Sequence, residues 1–185
     1  IKNTLLIILL TLGLYFFSSA QEIEFPVWTV KSHSNLEIEK ISLTDKLTTI
    51  DLFVTSDMDE GAWFCADKNI ILVSIADSIR LTLIRSENIP VCPEQHKFSS
   101  KGEILKFKLY FPPIQKQIKS INLIEDCNEA CFYFTDIVLD PVLNKEIRTF
   151  EKAVEDYQNR QIDLAIEGFN SIVNSCMDQS SYRYS

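Results

Sequence analysis

The chain has 185 residues, 46% of them hydrophobic, and sets 26 acidic side chains against 18 basic ones for a formal charge of −8. That is apolar material for one ordinary domain with a closed core. No basic stripe is present to neutralise phosphates, which excludes nucleic acid and anionic membrane surfaces as partners.

Residues 1–20 have the pattern of a signal peptide. Lys2 is the positive flank, Leu5 to Phe17 an almost unbroken apolar run, and Ser18, Ser19 and Ala20 the small residues a signal peptidase reads. The run is shorter than the about 20 residues that cross a bilayer, so the expectation is an exported protein, periplasmic, cell-surface or secreted, with no membrane contact once the leader is removed. No Cys follows the small residues, which disfavours a bacterial lipoprotein. The mature chain would start at Gln21 with 17 basic and 26 acidic groups, a charge of −9.

From there to residue 140 the period is two. Phe25 to His33 reads as a first strand, with Pro26 near its start where a missing donor does least harm. Leu36 and Ile38 alternate with charges, then the phase slips by one residue onto Ile41 and Leu43, which predicts a β-bulge. Thr44, Asp45 and Lys46 turn the chain into a strand on Ile50, Leu52 and Val54. Ser56 to Gly61 is an acidic loop without the alternate-position ligands of an EF-hand, so a solvated loop is expected. It leads to Trp63 and Phe64, for which burial in the core is favoured over a shared aromatic platform for a sugar or peptide.

Asn69 to Ile75 is apolar throughout, as in a strand covered on both faces, and Asp77 and Ser78 return the chain through Ile79 to Ile84. A loop bearing Cys92 and Pro93 runs to Gly102. The following strand points Phe107, Leu109 and Phe111 one way and Lys106, Lys108 and Tyr110 the other. Further strands run over Ile118 to Ile124 and Phe132 to Leu139, the latter with Phe132 and Phe134 in one phase and Ile137 and Leu139 in the other. Seven to nine short strands without a helix predict a mainly β protein, an antiparallel immunoglobulin-like sandwich over 21–140.

After Asp140 and Pro141 the spacing becomes helical. Leu143, Ile147, Phe150, Val154 and Tyr157 form one row, and Ile162, Ala165, Ile166, Phe169, Ile172, Val173 and Cys176 another, broken by Asn159, Arg160 and Gln161. An α-helical hairpin over 141–179 is expected, its apolar faces covered by the sandwich or else by further repeats of a longer array, with a frayed end over 180–185.

Two resemblances attach to these residues. The segments Ile89 to Phe98, Phe107 to Pro113, Ile121 to Glu125 and Phe132 to Leu139 resemble the β-sandwich domain of exported bacterial proteins that precedes thioredoxin-like or tetratricopeptide regions, over roughly Leu36 to Leu139. The stretch AVEDYQNRQIDLAIEGF resembles a tetratricopeptide repeat, with Ala153, Tyr157, Ile162, Ala165 and Phe169 at its packing positions and Arg160 where that repeat has a small residue. These resemblances imply contacts with other proteins and carry no catalytic residue onto the chain.

Five cysteines in an exported chain point to disulfides. Cys65, Cys92, Cys127 and Cys131 can pair in three ways. Cys127 with Cys131 is favoured by the turn-sized loop between them, which leaves Cys65 with Cys92; Cys176 has no evident partner. Three residues separate Cys127 from Cys131, not the two of a redox motif at a helix start, so a structural bridge is expected. A zinc site built from Cys92, His96, Cys127 and Cys131 is disfavoured by the oxidising setting. Neither His33 nor His96 sits in a nucleophile motif, no carboxylate pair is marked, and four glycines supply no phosphate loop. With no catalytic constellation, cofactor motif or metal set, the reading is a non-enzymatic module that binds another protein. Its alternatives are an accessory domain of a periplasmic thiol-disulfide system and a glycan-binding module working through Trp63.

Overall fold

The computed structural model describes residues 20–181 apart from Ile75, Asn128 and Glu129, and side chains as far as 175. Residues 1–19 of the expected leader, residues 182–185 of the end expected to fray, and the side chain of Cys176 therefore lie outside the described residues.

Period-two alternation becomes two five-stranded antiparallel sheets facing each other across one core. One sheet runs in the order β1 (Gln21–Glu24), β3 (Leu36–Leu43), β4 (Thr48–Thr55), β10 (Ile104–Phe111) and β8 (Arg85–Glu87). The other runs β2 (Val30–Lys31), β12 (Tyr133–Val138), β11 (Ser120–Glu125), β6 (Ile70–Ser74) and β7 (Ile79–Thr82). A small ribbon pairs β5 (Trp63–Phe64) with β9 (His96–Lys97). Leu36, Ile38, Ile50, Leu52, Phe107, Leu109, Phe111 and Phe134 all turn inward and are buried. The mainly β sandwich read from the alternation is the fold observed.

Both phase slips are bulges. In β3 the pairing jumps from Ile38↔Leu52 to Lys40↔Asp51, leaving Glu39 as the extra residue. In β12 it jumps from Leu123↔Phe134 to Ile121↔Ile137, with Asp136 at φ 51° and its N–H donating to Asn122 Oδ1 at 2.7 Å. That insertion lets Phe134 and Ile137 face the same core from opposite sequence phases.

The expected first strand over Phe25 to His33 is not one strand. Phe25 takes a left-handed φ of 45° and Pro26 brings no donor, so the chain leaves the first sheet after β1 and enters the second at β2. Trp28 meets Phe134 edge-on at 6.0 Å during the crossing. The opposite side of the sandwich repeats the manoeuvre. Leu83 N–H donates to Ile70 O in the second sheet, and the next residue's N–H, Ile84, donates to Tyr110 O in the first.

Two helices follow, α1 (Pro141–Gln158) and α2 (Ile162–Ser181). Asp140 caps α1 by accepting from Val142 N–H and Leu143 N–H, Pro141 stands in its first turn, and Lys119 Nζ lies 2.7 Å from the Asp140 carboxylate. The buried Asn144 ties that turn to the sandwich: its amide donates to Val138 O and Asp140 O and accepts from Val27 N–H at 2.6 Å. Arg160 turns the chain at φ 61°, a conformation that glycine occupies most cheaply.

The helices pack closely on small residues. Ala153 and Ala165 are buried, and a Cβ placed on Gly168 would lie 2.8 Å from Ala153 Cβ. Gly168→Ala is therefore expected to destabilise by about 1 kcal/mol, although a helical Gly→Ala change ordinarily gains that much. Adding Ala153→Gly vacates the space and should restore stability, which urea titrations of the single and double variants would measure.

The sandwich does not cover the hairpin's apolar rows, contrary to expectation. Phe150 is 53% exposed, Ile166 53% and Val173 50%. The cause is the anchor: α1 is tied to the sandwich at Asn144 and turns the polar side that continues through Arg148 and Glu151 toward it, so the apolar rows face away. Of the five repeat-like positions only Ala153, Ala165 and Phe169 join the interhelix contact, Phe169 through Phe150 at 5.8 Å, whereas Tyr157 and Ile162 are exposed.

Candidate functional site

At one end of the sandwich the segments 56–67 and 92–98 meet Glu125, Cys127 and Ala130, and a cleft of about 580 Å³ opens among them. That is within the range of ordinary ligand sites. Its walls are held by backbone pairing and by sulfur. Ala66 N–H donates to Pro90 O and Cys92 N–H to Ala66 O, both at 3.0 Å, and between these segments Cys65 is bonded to Cys92. Cys127 is bonded to Cys131, so both expected pairs form, and Cys65, Cys92 and Cys127 line the cleft.

Trp63 and Phe64 separate at this point. Successive side chains of a strand point to opposite faces, so although both border the cleft, Phe64 does so from the core side and Trp63 from the rim. Phe64 is buried, stacked on Phe132 at 5.9 Å and tilted against Phe107 at 5.8 Å, with the His33 ring edge-on to it. Trp63 stands at the rim, 47% exposed, near the exposed Met58. The expectation of joint burial thus holds for Phe64 and fails for Trp63. The acidic loop is folded by Ser56, whose hydroxyl donates to Met58 O and whose N–H donates to Glu103 O.

A carboxylate lies at the cleft's inner wall. Glu125 is 6% exposed; Oε1 accepts from Asp67 N–H at 2.6 Å and Oε2 from Phe132 N–H at 3.0 Å. Burial pushes its pKa above the ordinary glutamate range, and the two backbone donors only partly oppose this. A carboxyl raised on folding contributes stability that is full below its unfolded pKa and is lost as pH rises through the folded value. Glu125→Gln, which keeps one of the two hydrogen bonds, is expected to cost about 1–2 kcal/mol in mild acid and less at neutral pH. Glu87, Glu103 and Asp140, all held below their usual range by hydrogen bonds, lose stability in acid in both proteins and cancel in the comparison. Chemical denaturation across the acid-to-neutral range measures the gap; a gap that widens with pH contradicts this assignment.

The residues weighed as a zinc set do not converge. Three are committed to disulfides, and His96 packs edge-on to Phe98 at 4.8 Å with Nε2 3.1 Å from Glu103 Oε1. Among the described residues no helix is long and apolar enough to cross a membrane.

Compared with family models, curated proteins and solved structures, the chain matches none. The site is read from its own geometry.

Sequence reasoning reached Trp63 and the four cysteines and missed Glu125, Asp57, Met58 and His33. For Glu125 a signal existed: in the run Ser120 to Glu125 it occupies the inward phase set by Ile121 and Leu123, where a charged residue is out of place. The others are gathered by tertiary folding of loops, which leaves no local pattern.

Proposed function

We propose that this protein is an exported, non-enzymatic binding module that holds a segment of another protein in the cleft beside Trp63. The observation that carries the reading is the half-exposed Trp63 standing over an apolar floor in a preformed cleft walled by two disulfides. Large exposed aromatics beside an apolar depression are the anchors that interfaces use, and covalent staples reduce the ordering cost of binding. The disulfides fit an oxidising compartment and so support export. The resemblance to exported sandwich domains points the same way.

The test is titration with a pool of pentapeptides, followed by tryptophan emission in a Trp28→Phe background that leaves Trp63 as reporter. A saturable shift, lost in Trp63→Ala by calorimetry, is the expected result. Reproducible turnover of a peptide, sugar or disulfide, abolished by one substitution, would overturn the non-enzymatic reading.

A second reading, assembly through the hairpin, draws on the exposed rows carrying Phe150, Ile166 and Val173. The row from Leu143 to Tyr157 spans roughly 20 Å of helix axis, the length of a single amphipathic helix laid along it. Ile166→Asp is expected to change the stability of the isolated protein by less than about 0.5 kcal/mol. A loss of several kcal/mol would mean that a second copy already covers the row, and sedimentation would then register the change as dissociation.

A further inference from the structure

The cleft has a chemical bias that narrows its occupant. Every formal charge among its lining carboxylates and bases is negative: Asp57 on the outer loop, Asp67 beside the disulfide wall and Glu125 within, with no Lys or Arg. The remaining lining is dominated by Val54, Met58, Trp63, Phe64, Phe98 and disulfide sulfur. A ligand that fills this space needs an apolar body and a positive end. A sugar has the polar hydroxyls but neither the apolar body nor the positive end, and of the lining polar groups Asn35 and Ser56 each spend one donor on Thr55 O and Met58 O.

Resting on the binding role above, we propose that the cleft takes an extended peptide segment presenting a lysine or arginine among apolar residues. The aliphatic stem of that side chain lies along Trp63 and the floor, and the cationic head reaches Asp57 and Asp67. Cation and aromatic ring attract at such a rim. Asp57 forms no ion pair among the described residues, and Asp67 accepts only from Asn69 N–H at 2.7 Å, so both keep acceptor capacity for the incoming cation. Glu125 adds negative potential from behind, its oxygens each retaining a lone pair beyond the bonds to Asp67 N–H and Phe132 N–H. Lys97 pairs across from Trp63 in the ribbon but does not line the cleft; it would repel the ligand from outside and so limit affinity.

The test compares three pentapeptide pools with Ala, Leu and Phe varied at the outer positions and lysine, norleucine or glutamate fixed at the centre, titrated at low salt and neutral pH. The lysine pool is expected to bind about tenfold or more tighter than the norleucine pool, with the glutamate pool weakest. Asp57→Asn should remove most of the difference, added salt should compress it, and Lys97→Gln should strengthen lysine binding. Equal binding of the lysine and norleucine pools overturns the charge assignment and leaves a peptide cleft standing. Binding of a neutral oligosaccharide at Trp63, with no response to any pool, overturns both.

Discussion

Removing the Cys65–Cys92 bridge, as Cys65→Ala with Cys92→Ala, is expected to lower stability by about 3.5 kcal/mol. The bridge spans 27 residues, and the loop-closure entropy it removes from the unfolded chain grows with the logarithm of that span. The same relation gives about 2 kcal/mol for Cys127–Cys131, whose span is four residues. For a domain of this size the longer bridge corresponds to roughly 10 °C in Tm. Equilibrium unfolding in urea of both double variants separates the two values. Equal losses would place the effect in the native cleft wall, not in the unfolded chain. The variant lacking Cys65–Cys92 should also lose order around the Ala66 and Cys92 hydrogen bonds, visible as faster amide exchange there than in the core strands.

Phe64→Ala should cost about 3–4 kcal/mol, whereas Trp63→Ala next to it should cost less than about 1 kcal/mol. Phe64 fills the space between Phe107 and Phe132 and is 8% exposed, so truncation leaves a void the sheets cannot close. Trp63 covers the rim and leaves little behind. The pair also separates function from folding: Trp63→Ala should abolish ligand response at unchanged stability, and Phe64→Ala should deepen the cleft and bind an apolar dye more strongly. Denaturant midpoints and dye titrations of the two variants check both halves. Similar costs for the two substitutions would place Trp63 in the core and remove the rim on which the binding proposal rests.

The sandwich was legible because each long strand carries its own alternation, and even the bulges left a phase slip in the sequence. The hairpin was legible from the change of period at Pro141 and the break at Arg160. What local pattern could not convey was destination. Phe25 to His33 has strand chemistry throughout, yet a single left-handed residue sends its halves to different sheets. The hairpin's apolar rows look like buried faces, and only the position of Asn144 reveals that α1 turns its polar side to the sandwich. For the cleft, the cysteines announced a stapled region, but the carboxylates that give it sign come from the segment holding Asp57 and Asp67 and, far along the chain, from the end of β11 at Glu125.

The two crossings between sheets have a consequence for how the sheet edges are protected. A sandwich normally offers four lateral strand edges, each a template on which another chain can add. Here one side is bound by the continuous segment β1 to β2, and the other by β7 to β8, so the same backbone that ends one sheet begins the other. The outermost strands are two to four residues long and present little unpaired backbone. The first of these guards, β1, pairs with β3 alone. Loss of Gln21–Glu24 would strip β1 from Lys40 to Leu43 and leave that edge open to pairing with another chain.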